Sequence, residues 1–327
     1  MKNYISKIES FKNIHVLVIG DVMLDEYVWG KVERISPEAP IPIVSIERRE
    51  ERLGGAANVA LNIKTLGAEP VICSIIGNDM HGQSLKKMCK KENITTEGIL
   101  VSKHRTTTNK TRIIGHSQHL LRVDDEMDTI LNADDEKMFL SSIKHELTHK
   151  KMDAILFEDY DKGCITDKII HEVIRLATKK NIPVAVDPKH RNFMNYAGVS
   201  LFKPNLKELS IGLKTDIPQN KLSTILPLLC KKFMQKQKIN AMMVTLSELG
   251  MFVINQEESY YIPTQVHDLA DVSGAGDTVI ATATLCLAMN MKLYDMAYLA
   301  NIAAGIVCEK VGVVPIYKKE LVQKLSS

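Results

Sequence analysis

Four short apolar runs set what this chain can fold into. His15-Val16-Leu17-Val18-Ile19 stops at Gly20-Asp21 and Val71 to Ile76 stops at Gly77. Ala154-Ile155-Leu156-Phe157 stops at Glu158-Asp159, and Val184-Ala185-Val186 stops at Asp187-Pro188. None alternates with polar residues, so each needs cover on both faces, as strands in a parallel sheet between helices do. The segments between them supply the helices. Ala56, Val59, Ala60, Ile63 and Leu66 recur at helical spacing and Gly67 closes the turn; 140–149, 165–180 and 221–236 read the same way. The expected class is α/β, a doubly wound and mostly parallel sheet flanked by helices.

Two stretches break that rhythm. Residues 26–46 carry Pro37, Pro40 and Pro42 among alternating apolar positions, and 106–124 alternates like a pair of antiparallel strands. They have β periodicity but no crossover helix, so they are expected to form a small β flap, a lid on one domain covering 1–327. No repeat, low-complexity tract or linker divides the chain.

Charge and cysteine usage exclude several functions. With 42 Lys+Arg against 39 Asp+Glu, the net charge of +3 is too small to argue for nucleic acid or an anionic membrane surface as partner. The six cysteines show no C-x-x-C and no nearby histidine pair, so reduced thiols are expected rather than zinc or disulfides. His104, His116 and His119 have no metal spacing and are expected on the flap surface. The N-terminus has no apolar leader, and the longest apolar stretch, 279–291, is too short to span a bilayer, so a cytoplasmic location is expected.

Asp21, Gly77, Asp159, Asp187 and Asn205 all fall just past the carboxyl ends of expected strands, the edge where open α/β sheets bind ligands. Each taken alone is also a good turn residue; so many acids at one edge favour a site.

The most informative segment is Asp271-Val272-Ser273-Gly274-Ala275-Gly276-Asp277-Thr278, which runs straight into an apolar helix. Two glycines let backbone N–H groups converge at a helix N-terminus, which makes an anion site. Asp277, in the first turn beside it, could accept a proton from an attacking hydroxyl while those N–H groups stabilise a transferring phosphoryl group. On this segment alone, helix cap and catalytic base stand level. A dinucleotide fingerprint fits less well because the third glycine is missing, and no G-x-x-x-x-G-K-[ST] occurs.

These residues bring a known family into view. D-V-S-G-A-G-D-T resembles the second signature of the PfkB/ribokinase family of carbohydrate kinases, and the similarity covers nearly the whole chain. Gly54-Gly55-Ala56-Ala57-Asn58-Val59-Ala60 matches its first signature region, Lys203-Pro204-Asn205-Leu206-Lys207-Glu208 its N-x-x-E motif, and Thr245 to Gly250 its T-x-G-x-x-G segment with Ser247 in place of the first glycine. Within that family, Gly20 to Asp25, Arg34-Ile35-Ser36-Pro37-Glu38-Ala39-Pro40, Arg52 to Ala60 and Val186-Asp187-Pro188-Lys189 are similar to the kinases of D-glycero-β-D-manno-heptose 7-phosphate.

The resemblance implies a ribokinase-like fold, ATP and Mg²⁺ as cofactors with K⁺ as a further ion, a sugar phosphate as substrate, and a homodimer through the β flap, with Trp29 at the contact or, alternatively, packed on its own sheet. It implies that Asp277 is the base and that Gly274, Ala275 and Gly276 form the anion hole. Asn205 and Glu208 would contact phosphate and Mg²⁺ through water; as residues they equally make a helix capping box. Thr245, Gly250 and Asn301 fall to the nucleotide, Asn301 alternatively to packing. Asp25, Gly54, Gly55, Asn58 and Asp21 fall to the sugar, although Gly54-Gly55 also suits a helix-entry turn and Asp21 a strand-end cap. Asp271 falls near a monovalent-cation site, or stabilises its own turn. Lys110, Arg112, Arg122, Lys162 and Lys189 are the cations available for the distal phosphate, Lys189 foremost.

The expected reaction is ATP-dependent phosphorylation of that heptose 7-phosphate at its 1-hydroxyl, leading towards ADP-heptose and lipopolysaccharide core, by a stand-alone kinase. The alternatives are a kinase of the same fold for fructose 1-phosphate or ribose, a silent sugar-binding regulator, and a dinucleotide-dependent oxidoreductase.

Overall fold

The computed structural model describes residues 2–115, 118–264 and 270–326. In chain order it contains α1 (Lys2–Glu9), β1 (His15–Gly20), β2 (Val22–Ile35), β3 (Pro42–Gly55), α2 (Ala56–Thr65), β4 (Glu69–Gly77), α3 (Met80–Lys91), β5 (Ile99–Ser102), β6 (Thr108–Gly115) and β7 (Gln118–Asp125). Then come α4 (Ala133–His149), β8 (Ala154–Glu158), α5 (Asp167–Lys180), β9 (Val184–Asp187), β10 (Leu201–Phe202), α6 (Leu206–Leu213) and α7 (Leu222–Gln237). The chain finishes with β11 (Ala241–Thr245), β12 (Met251–Asn255), β13 (Ser259–Ile262), α8 (Ala275–Ala288), α9 (Leu293–Cys308) and α10 (Lys318–Ser326).

The main sheet has the order β13-β12-β11-β10-β9-β8-β1-β4-β5. It is parallel except where β12 pairs antiparallel with β11 and β13. The four apolar runs are strands β1, β4, β8 and β9, buried on both faces. One core packs α2, α8 and α9 against one face, and a second places Phe139, Phe193, Phe233 and Tyr196 against the other. Each such fully buried side chain contributes about 1.5–3 kcal/mol relative to exposure. Helix α8 is buried over 277–286 because it lies inside one core layer rather than on the surface. All six cysteines are free and buried. No helix among the described residues is long and apolar enough to cross a membrane.

A second sheet, ordered β3-β2-β6-β7, rises from the carboxyl edge of the first. Only Asp21 separates β1 from β2. This sheet begins before residue 26 and continues past 46, because β3 runs on to Gly55. The stretch Glu47 to Glu51 hides its strand character: it is charged and largely exposed, so no apolar alternation marks it.

Where β3 passes into α2, Gly55 adopts φ +56° and a Cβ there would run into the carbonyl oxygen of Asp21. That oxygen also accepts the Ala56 N–H at 3.0 Å. Gly198 has a comparable φ of +81° but open space around it. Gly55→Ala should therefore destabilise by about 2 kcal/mol or more, and Gly198→Ala by clearly less. Urea unfolding of both variants checks this; equal losses would remove the clash as the cause.

Candidate active site

The turn into α8 is built on Gly274, which holds φ +79° as the residue before the helix. A Cβ at Gly274 would lie 3.1 Å from the Asn58 amide nitrogen and 3.2 Å from the Val313 side chain. Ala275 does not lend its N–H to an open anion hole as expected, because that group turns back to the Val272 carbonyl at 3.2 Å. The amides of Gly276 and Asp277 are the first without a preceding helical carbonyl to bond.

Asp277 is buried, with both carboxylate oxygens held from opposite sides. Asn58 Nδ2 donates to Oδ2 at 2.7 Å and the Tyr160 hydroxyl donates to Oδ1 at 2.8 Å. Burial pushes its carboxyl up to about 6, against the pull of those two hydrogen bonds and with the negative charge of Asp187 adding to the rise. Tyr160 was not expected from the sequence. The signal available was its place two residues after an apolar strand, inside Glu158-Asp159-Tyr160.

Next to this carboxylate, strands β8 and β9 end in register with Glu158 beside Asp187. Asp187 Oδ2 is paired with Lys203 Nζ at 2.8 Å, both groups buried. A Cβ on Gly276 would lie 3.7 Å from that ammonium, so Lys203 reaches the start of α8. The sequence does not single out Lys203; a lysine closing an apolar strand at the binding edge is the available signal. Burial and the nearby Asp187 and Asp277 raise the Glu158 carboxyl well above its usual range.

Asn205 and Glu208 form the capping box: the Glu208 N–H donates to Asn205 Oδ1 and the Asn205 N–H to Glu208 Oε2, each at 2.8 Å. The other Glu208 oxygen pairs with Lys189, whose ammonium lies 5.2 Å from the Tyr160 ring centroid. Lys189 is thus already engaged by a carboxylate.

Thr245, Ser247, Gly250, Ala275, Gly276 and Asn301 line one cavity of about 440 Å³. The structure therefore brings Thr245, Gly250 and Asn301, expected at the nucleotide, into one space with Ala275 and Gly276 of the expected anion hole, while Gly274 is not among its lining residues. Gly250 has φ +87°, and Ser247 keeps a left-handed φ of +55°, the conformation a glycine would take without strain. Asn301 donates to the Pro263 carbonyl at 2.6 Å. A larger cavity of about 560 Å³ sits at the opposite, amino edge among Lys151, Asp153 and Ser200, and holds none of the expected site residues.

On the flap side, buried Asp25 is paired with Arg112, and a Cβ on Gly54 would strike its carboxylate. Lys110 bridges Asp124 at 3.0 Å and Glu126 at 2.8 Å, Lys162 also pairs with Glu126, and Arg122 pairs with Asp124. Asp21 does not face outward. Its carboxylate accepts the N–H groups of Tyr160, Lys162 and Cys164 at 2.9–3.2 Å, so it fixes the loop that carries Tyr160. Asp271 likewise spends its oxygens on the N–H groups of Ser273 and Gly312; burial opposes its ionisation, but these bonds hold its carboxyl below the usual range. Trp29 stacks on Tyr27 and under Arg48 within its own sheet. His104 and His119 are exposed, while His116 lies outside the described residues.

A profile described as pfkB family carbohydrate kinase matches residues 13–319. The chain belongs to this family of carbohydrate kinases. As a family member it is a sugar kinase, with the ribokinase-like α/β fold. Phosphofructokinase-2 from Escherichia coli, solved in complex with potassium, superposes with a TM-score of 0.78 at 19% identity, covering 96% of this chain and 99% of that one. Ribokinase from Arabidopsis thaliana, complexed with ribose and ATP, gives 0.73 at 17% identity over 96% and 99%. A bifunctional protein HldE from Syntrophotalea carbinolica is 37% identical over 98% of this chain and 64% of its own length. The HldE of Helicobacter pylori strain G27 is 40% identical over 91% and 63%. The chain thus spans less than two thirds of these curated relatives.

The pfkB-family kinase should lose turnover in Tyr160→Phe by about tenfold or more, the scale of one hydrogen bond to a charged group. Because that bond favours the ionised carboxylate, the acid limb of the kcat–pH profile should move upward with KM for ATP little changed. An unmoved limb would detach Tyr160 from the function of Asp277.

Proposed function

We propose that the protein transfers the γ-phosphoryl group of ATP to the anomeric 1-hydroxyl of D-glycero-β-D-manno-heptose 7-phosphate, giving the 1,7-bisphosphate for ADP-heptose and lipopolysaccharide core synthesis in the cytoplasm. The observation that carries this reading is the buried Asp277 carboxylate, in the first turn of α8 next to the cavity-lining Gly276 and held by Asn58 and Tyr160. A pure binder needs no general base, whereas phosphoryl transfer from ATP to a hydroxyl calls for one beside the anion-binding turn. The choice of heptose rests on Arg34 to Pro40 and on the HldE relatives.

ATP occupies the cavity lined by Thr245, Gly250 and Asn301, with its phosphates at Gly276 and Lys203. The sugar lies under the flap against Asp25, Gly54 and Asn58. As its 1-hydroxyl attacks the γ-phosphorus, Asp277 accepts the hydroxyl proton; the bond to the β-phosphate oxygen breaks and ADP leaves. Lys203 and the amides of Gly276 and Asp277 face the charge that builds on the transferring group. Mg²⁺ would supply further charge neutralisation, and the donor set suits it: carboxylate oxygens at this edge, with Glu208 acting through water. K⁺ would bind near the 271 turn, which Asp271 organises.

For the 7-phosphate, the bridges differ in how easily they exchange. Lys110 and Lys162 share Glu126 in partly exposed pairs, and such pairs contribute only about 0–1 kcal/mol. Arg112–Asp25 is more deeply buried, so separating it leaves a charge uncompensated. Lys110 and Lys162 are therefore the exchangeable cations. The outward apolar residues Ile35, Ile46, Leu121 and Val123 of the second sheet suit a flap-to-flap homodimer.

Asp277→Asn should lower kcat by about 10³-fold while sparing ATP binding; near wild-type turnover would remove Asp277 as base. In the wild type kcat should rise with pH through about 6, since only the deprotonated carboxylate accepts a proton. A coupled ADP-release assay over heptose 7-phosphate, fructose 1-phosphate and ribose should give the highest kcat/KM with the heptose. A higher value for either competitor would replace the substrate and keep the kinase.

A further inference from the structure

Helix α2 carries two asparagines, one turn apart, into an apolar core. Asn58 and Asn62 are 1% and 0% exposed, among the equally buried Ala56, Val59, Ala60 and Ile63. An amide in such a place costs free energy unless its ends are bonded. Asn58 donates to Asp277, which accounts for its position. Asn62 lies one step further from that carboxylate.

The Asn62 amide can sit only one way round. Its Oδ1 accepts the Ile316 backbone N–H at 3.0 Å, from a group that can only donate. Its Nδ2 donates to the Asn58 backbone carbonyl at 2.9 Å, a group that can only accept. Exchanging the two ends would set an NH₂ against an N–H and one oxygen against another. The Thr278 hydroxyl adds a second donor to the same Oδ1 at 3.0 Å.

This fixed amide passes its sense to the next. Asn62 Nδ2 also donates to Asn58 Oδ1 at 3.3 Å, so that oxygen is turned to Asn62 and the Asn58 NH₂ to Asp277 Oδ2, at 2.7 Å. An ionised Asp277 selects the same sense unaided, because a carboxylate only accepts. A protonated Asp277 does not, since its O–H would be free to donate to a rotated Asn58 Oδ1. Asn62 opposes that rotation and so withholds a hydrogen bond from the protonated form.

We propose that Asn62 is a positioning residue, which holds the Asn58 amide with its NH₂ towards Asp277 in both protonation states and thereby favours the carboxylate that accepts a proton. The use of that proton rests on the phosphoryl-transfer reading above; the orientation of the amide does not. Tyr160, Glu158, Asp187 and Lys203 also bear on the charge of Asp277, and all four stay in place in the variants that test Asn62.

The test is a pH titration of the Asp277 carboxyl by carbon NMR, on the full chain labelled at its aspartate carboxyls, without nucleotide or sugar. Loss of the signal in Asp277→Asn assigns it. The wild-type midpoint should lie at about 6. Asn62→Leu, close in size but without the donor, should move it upward by about half a pH unit or more, part of what one hydrogen bond to a charged group is worth. Asn62→Ser, whose hydroxyl can bond only the carbonyl one turn back, should move it the same way and takes over if melting shows the leucine variant unfolded. In an Asn58→Ala background either substitution should shift the midpoint much less, because the effect travels through Asn58. Thr278→Val removes one partner of the same Asn62 oxygen but leaves Ile316 to fix it, so the midpoint should stay at the wild-type value. A midpoint unmoved in the folded Asn62 variants, an undiminished shift in the Asn58→Ala background, or an equal shift in Thr278→Val overturns the proposal. Absence of ADP release with every sugar would instead remove the kinase reading and leave this titration untouched.

Discussion

The carboxylate of Asp277 joins three parts of the chain that are far apart in sequence. Asn58 comes from the start of α2, Tyr160 from the loop after β8, and Asp277 from the first turn of α8. A buried charge with one donor on each oxygen is tolerable; with either donor absent it would carry the desolvation cost of an unpaired anion. The close approach of α2 to α8 and the tight turns at Gly55 and Gly274 are conditions for that arrangement, since a side chain at Gly274 would press on the Asn58 amide. The fold can be understood as the scaffold that brings these donors together.

The main sheet was legible because its strands are apolar on both faces, and so short a run with no polar side fits little besides a strand covered by helices above and below. The second sheet was legible only in part: its proline-rich and alternating pieces announced themselves, while Glu47 to Glu51 forms strand through backbone pairing with no apolar face to betray it. For the site, Ala275 and Gly276 at the start of α8 line one cavity with Thr245, Gly250 and Asn301, the residues expected at the nucleotide. Ala275 did not join them as a donor, because its N–H closes the turn onto Val272.

The acids at the sheet edge show where sequence reading stops. Asp21, Asp159, Asp187 and Asp277 look alike as residues just past a strand or opening a helix, yet they do three different things. Asp21 bonds three loop amides, and Asp159 accepts from Asn192, Tyr196 and the Asp161 N–H, so both serve the 158–164 loop. Asp187 pairs with Lys203, and Asp277 accepts from Asn58 and Tyr160. The difference lies in which donors approach from other strands. That is tertiary information, absent from any local window.

The loop anchoring ties the flap to the chemistry. Asp21 is the single residue between β1 and β2; its N–H bonds Glu158 at 3.2 Å and its carbonyl accepts from Ala56 at 3.0 Å. Its side chain meanwhile fixes the amides around Tyr160, the residue that orients one oxygen of Asp277. One residue thus connects the root of the flap, the entry to α2 and the loop beside Asp277. Burial raises the Asp21 carboxyl despite those three amides, because it sits wholly in the interior. A substitution there that kept the strand but removed the carboxylate would leave three inward N–H groups without partners and free the Tyr160 loop. Asp21 therefore bears on Asp277 through the geometry of this loop, its own carboxylate being taken up by backbone amides.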